Sequence, residues 1–206
     1  MLLATIDASN PKEILDNYLL WYKDGAYSPF GECFDIGNTM QFILDKYEIN
    51  KDMTKCYVSD YYSNGNSPLC RILPFAFQTH SKDFICSITG LTHRHSISLS
   101  TCYKYYQILN NLINNQQFNI NTTKLILNDN GYIVNTLNNA LYCFNNTSNY
   151  RDAVLMAVNA GGDTDSTAAI TGSLAGIKYG YDNIPLEWIQ GLQNKQLIFQ
   201  IIRGKK

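Results

Sequence analysis

From Ala160 to Gly180 the chain reads Ala-Gly-Gly-Asp-Thr-Asp-Ser-Thr and then continues as a helix with almost no bulk on one side. Gly172, Gly176 and Gly180 recur every four residues, and Ala168, Ala169, Ser173 and Ala175 are small as well. Residues four apart share a helix face, so this face asks for a very close neighbour. Gly161 and Gly162, just before it, allow a tight turn and a close backbone approach to a ligand. Asp163 falls at the N-cap, with Asp165 and Ser166 in the first turn, where the helix dipole favours carboxylates. Two acids this close repel unless a cation lies between them, and such hard oxygen donors suit magnesium, manganese or calcium rather than zinc. A lone D-x-D-S stretch is an ordinary cap. The tightly packed helix behind it turns the reading toward a metal site at Asp163, Asp165 and Ser166. An EF-hand is excluded, because position six of such a loop is Ala168 and position twelve is Leu174.

The rest of the chain is also helical in pattern. Asn10 before Pro11 starts a helix that carries Ile14, Leu15, Tyr18, Leu19 and Tyr22 on one side, and Gly25 stops it. Further helices are expected from Asn38 toward Tyr47, Ile85 to Leu91, Tyr103 to Leu112, Arg151 to Val158, and through Leu186 to Ile202. Residues 110 to 149 hold 14 of the 23 asparagines but keep apolar spacing, which reads as helices joined by Asn-rich turns. A small hairpin from Leu125 to Val134, around Asn130-Gly131, is the one strand candidate. The fold class is all-α, a compact orthogonal helical bundle, in one domain over residues 1–206. At 206 residues such a domain buries roughly 70% of the surface of its unfolded chain.

Composition narrows the function. Sixteen basic and 17 acidic residues leave a net charge of −1, which excludes a nucleic-acid binder that runs on bulk positive charge. No apolar run reaches the ~18 residues of a membrane helix, and Asp7 ends the first apolar stretch without a basic segment before it. The six cysteines form no C-x-x-C pair and read as reduced thiols. The expected setting is cytoplasmic or otherwise intracellular.

Three more clusters carry possible chemistry. In Phe34-Asp35-Ile36-Gly37-Asn38-Thr39, Gly37 and Asn38 would expose backbone N–H groups at a helix start, a ready anion site. In Asn64-Gly65-Asn66-Ser67-Pro68-Leu69-Cys70-Arg71, Gly65 gives a turn and Arg71 could take a phosphate or pair with a carboxylate. In Thr92-His93, the imidazole could orient a ligand or serve as a structural donor.

The order F-D-I-G-N-T, N-G…R-I-L-P, T-H and G-G-D-T-D-S-T-A-A-I-T-G-S-L-A-G resembles the ADP-ribosylglycohydrolase family, from Trp21 to about Gly180. The resemblance implies an all-α fold, a magnesium site with two ions in the family, and hydrolysis of the glycosidic bond between ADP-ribose and a protein side chain or related acceptor. It assigns metal ligation to Asp163, Asp165 and Ser166, and substrate contacts to Asp35, Gly37, Asn38, Asn64, Gly65, Arg71 and His93. The expected partner is an ADP-ribosylated protein or other ADP-ribose-containing substrate, with no nucleic acid and no membrane. The family's opening G-D-x-x-G-x-x-x-E and S/T-D-D-T motifs do not occur here, and no Asp-Asp pair exists in the chain. The expectation is therefore an N-terminally truncated member whose catalytic residue is unassigned. It would bind one magnesium ion or none, or act as a catalytically impaired ADP-ribose binder. The glycine face of the last long helix, lacking a neighbour, is expected to leave apolar surface for a dimer or a complementing N-terminal fragment.

Overall fold

The computed structural model describes residues 1–116, 122 and 124–204. The described residues form ten α-helices and several short 3-10 turns, with isolated bridges but no strand. The helices are α1 (Leu2–Ile6), α2 (Pro11–Asp24), α3 (Asn38–Asn50), α4 (Lys82–Thr89), α5 (Ser96–Ile113), α6 (Ile133–Asn145), α7 (Tyr150–Val158), α8 (Thr164–Tyr179), α9 (Leu186–Gly191) and α10 (Lys195–Arg203). None of them is long and apolar enough to cross a membrane.

Local sequence explains the clearest boundaries. The Asn10 side chain accepts from the Glu13 amide, Pro11 fills the first turn, and the Glu13 carboxylate reaches back to the Ser9 amide at 2.7 Å. Gly25 closes α2 at φ 68, and a Cβ there would collide with the Gly31 backbone at 2.2 Å. The tail expected to be one helix is two, because Leu192 is extended and Asn194 is left-handed between α9 and α10.

The core is assembled from one face of each long helix. Tyr105 and Leu109 of α5, Leu137 and Leu141 of α6, and Ile170 and Leu174 of α8 are all within a few percent of full burial. Each such aliphatic side chain contributes about 1.5–3 kcal/mol over an exposed one. Helix α8 packs on α7, α6 and α5. It is half-wrapped rather than buried all round, since Ala169 and Lys178 face solvent.

The glycine stripe of α8 has its neighbour inside the chain, which corrects the expectation of a bare face. A Cβ on Gly172 would lie 3.2 Å from the Tyr150 hydroxyl oxygen, and one on Gly176 would lie 3.9 Å from its ring. A Cβ on Gly180 would meet open space; this glycine ends the helix at φ 83. Gly172→Leu is therefore expected to overpack the α7–α8 contact and cost about 1–3 kcal/mol, read as a lower urea midpoint. Exposed aromatics gather elsewhere: Phe30 and Phe34 form an edge-on pair at 5.4 Å in the loop after α2.

The Leu125–Val134 hairpin is absent as well. Asn139, buried on α6, binds both the amide and the carbonyl of Ile126 at 2.8 Å. The following residues pair with Gly162 and Gly65 instead of with one another. The backbone groups a hairpin would use are thus already satisfied by other parts of the chain.

Candidate active-site cleft

The turn before α8 is shaped by its two glycines. Gly161 and Gly162 sit at φ 76 and 75, and a Cβ on Gly162 would lie 2.0 Å from the Asp129 carbonyl. That approach lets the Asp163 amide donate to the Asp129 carbonyl at 2.8 Å. Asp163 occupies the N-cap of α8, yet its carboxylate does not cap the helix. It accepts instead from the Asn66 side-chain amide at 2.6 Å.

Asp163, Asp165 and Ser166 open into a cleft of about 740 Å³. Its floor carries Asn66, Ser67 and Cys70, and its far wall is the loop from Tyr27 to Gly37 with Trp21 of α2. Asp35 stands on that wall at φ 50, a left-handed conformation that costs a non-glycine residue about 1 kcal/mol or more. Gly37 precedes α3 with no side-chain cap, so the first N–H groups of α3 are left for a ligand or water.

The acid pair is electrostatically strained. Burial works against ionisation of Asp163, but hydrogen bonds from Asp165, Asn66 and Ser166 outweigh it and hold its carboxyl below the usual range. The same contact with Asp163, then burial, pushes Asp165 up. Two carboxylates this close disfavour each other's ionisation, and a cation between them would relieve that repulsion. Among the described residues the cleft lining contains no lysine or arginine, and the Met1 α-amino group, held below its ordinary value by burial, is the basic group on it. Cys70 lies on the floor, but burial pushes its thiol up, which keeps it a protonated, unreactive group.

As a donor set, two carboxylates and a hydroxyl fit one hard cation whose remaining positions go to water or substrate. Among the described residues no cluster of three or more His, Cys, Asp or Glu forms.

The other expected site residues divide. Asp35 and Gly37 line the cleft, and exposed Asn38 follows at the start of α3. Asn64 and Gly65 face a separate depression of about 440 Å³ that meets the cleft only at Asn130. Asn64 is bound to Ser98 at 2.7 Å and to the Tyr61 carbonyl at 2.7 Å. Arg71 and His93 do not line the cleft. Arg71 is fully buried; it donates to Thr92 at 2.8 Å and lies 5.3 Å above the Tyr18 ring. His93 is fully buried beneath Gly65, with Nδ1 2.9 Å from the Thr92 hydroxyl. Burial, reinforced by Arg71, lowers the His93 pKa to about 3, so it is neutral. A phosphate in the cleft meets neither side chain in this arrangement.

Asn66, Asn128 and Asp129 were missed from sequence and line the cleft. Asn66 stands within a turn that the sequence does flag, two residues from the asparagine chosen there.

Fold and site together define an all-helical domain with an acidic cleft at the start of a helix packed on three others. By sequence the chain is similar to the ADP-ribosylglycohydrolase family. The model of that family matches residues 106–204. An ADP-ribosylarginine hydrolase from Serratia proteamaculans is 32% identical over 86% of this chain and 56% of its own length. One from Pseudomonas putida is 29% identical over 82% of this chain and 53% of its own. An ADP-ribosyl-dinitrogen reductase glycohydrolase from Rhodospirillum rubrum is 27% identical over 93% and 68% respectively. The chain thus spans about half the length of the first two relatives. A solved structure titled as an ADP-ribosylglycohydrolase-related protein complex shares the fold with a TM-score of 0.73 at 22% identity, covering 96% of this chain and 75% of that one.

Proposed function

We propose that this chain acts on ADP-ribosylated protein, hydrolysing the N-glycosidic bond between ADP-ribose and an arginine side chain. The observation that carries the reading is the Asp163–Asp165 pair at the start of α8, opening into a cleft with no cationic side chain. An acidic cleft suits a cationic guanidinium acceptor. The names of two relatives point to the same acceptor.

Asp163, Asp165 and Ser166 would hold one magnesium ion, which supplies charge stabilisation and orients a water when bound. The uncapped N–H groups at the start of α3 would take the pyrophosphate, in the role the sequence had offered to Arg71. In the reaction the water oxygen bonds to the anomeric carbon as the carbon–nitrogen bond breaks. The water's proton ends on the departing guanidine. The anomeric carbon passes through an oxocarbenium-like state, which the negative cleft stabilises.

A second reading is a module that binds ADP-ribose without turnover. It is favoured by the two-carboxylate donor set, which supplies few ligands for a divalent ion. One experiment separates them: an ADP-ribosyl-arginine peptide is incubated with micromolar protein and millimolar Mg²⁺. Release of free ADP-ribose that EDTA abolishes supports hydrolysis. No release, together with a thermal shift on adding ADP-ribose, supports the binder, and neither result sinks both.

A further inference from the structure

Asp129 is 4% exposed, and among the described residues no cation reaches it. A buried carboxylate without a counter-charge is costly, and an apolar or amide side chain would serve a merely structural position better. Its partners are both neutral donors: Asn135 Nδ2 at 3.1 Å and Thr136 Oγ1 at 3.1 Å, the latter fully buried on α6. The Asn66 amide then donates to Thr136 Oγ1 at 2.9 Å and to Asp163 Oδ2 at 2.6 Å.

The polarity of this chain of bonds is set from its far end. Thr136 Oγ1 donates to Asp129 Oδ2, and this bond uses the hydroxyl's single proton. Thr136 Oγ1 is then left as an acceptor, and the Asn66 group facing it must be the NH₂ rather than the carbonyl oxygen. The second proton of that NH₂ is thereby aimed at Asp163. The backbone fixes the position of Asn66 too: its amide donates to the Gly131 carbonyl at 3.0 Å. Gly131 itself leaves the space, because a Cβ there would lie 2.6 Å from Asp163 Oδ2.

We propose that Asp129 and Thr136 are positioning residues for the acid pair, fixing the Asn66 amide that orients Asp163. This rests on the reading of Asp163 and Asp165 as ligands of a hard cation. Partners of this kind behind a metal ligand typically change affinity 10–100-fold when lost.

The test uses Mn²⁺ as the probe, titrated by EPR, alongside NMR of the Asn66 side-chain NH₂ in metal-free protein. Thr136→Val keeps the shape and removes the hydroxyl, whereas Thr136→Ser keeps the hydroxyl. The valine variant is expected to weaken Mn²⁺ binding about 10-fold and to lose exchange protection of the Asn66 NH₂. The serine variant is expected to stay within about twofold of wild type in affinity and to keep that protection. Should the valine variant not fold, Asp129→Asn, with one acceptor in place of two, is expected to show a smaller loss in both readouts. Wild-type behaviour in these variants, or an equal loss in the serine variant, overturns the proposal. If wild type itself binds no Mn²⁺, the cation reading fails separately, and the NMR readout alone decides whether the relay orients Asn66.

Discussion

Asp165→Ala is expected to abolish the proposed release of ADP-ribose, by at least a thousandfold, without unfolding the protein. The two effects separate because Asp165 is exposed and is pushed up by its contact with Asp163. Removing it takes away like-charge repulsion and no core packing. The stability change is expected to stay within about 0.5 kcal/mol, as for other surface positions. The proposed cation site would lose one of two carboxylates, and affinity for Mg²⁺ is expected to fall steeply because charge count dominates binding of hard cations. Asp163→Ala is expected to differ. It also strands the Asn66 NH₂ beside Thr136, so it loses stability as well as activity. Calorimetric titration with Mg²⁺ and urea unfolding of both variants check this. Full turnover in Asp165→Ala would remove the acid pair from the mechanism.

That contrast shows which parts of the site a sequence can reveal. Asp163, Asp165 and Ser166 are adjacent, so their shared position at a helix start is visible locally. Asn66 is 97 residues from Asp163, and only the fold brings the two together. Asp129 and Thr136 look like a turn residue and a helix residue until α6 and the turn before α8 are packed together. Arg71 is the opposite case. An arginine after a glycine turn fits a phosphate ligand by chemistry, but the short 3-10 turn at Leu69–Arg71 directs it into the core, onto the Thr92 hydroxyl and over the Tyr18 ring. Helix starts and stops follow the same rule. Asn10, Pro11 and Gly25 act through neighbours in sequence and were legible. The Leu125–Val134 segment was not, because the distant Asn139 side chain takes its backbone bonds.

The second large effect is on acid stability. His93 is neutral in the fold, its pKa lowered to about 3 by burial and then by Arg71, whereas in the unfolded chain it titrates near the ordinary 6.5. Between those values the unfolded state binds a proton that the folded state does not. Stability is therefore present above pH ~6.5 and is lost as pH falls from there toward ~3. The loss from this one group reaches about 3 kcal/mol by pH 4, a substantial share of the 5–15 kcal/mol of an ordinary domain. Carboxylates held low, such as Asp16 bound by Lys12 and Tyr47, lose stability in the same direction but closer to pH 4 and below. His93 carries a share of the loss between pH 6.5 and 5, and the buried Met1 α-amino group, also held below its ordinary value by burial, loses stability in the same direction as pH falls from about 8. His93→Gln keeps a polar group of similar reach and cannot titrate. Urea midpoints measured at pH 7 and pH 5 are expected to fall markedly for wild type and to fall distinctly less for the glutamine variant. An equal fall in both would show that His93 takes up its proton without unfolding the chain, and that its burial beneath Gly65 does not hold in solution.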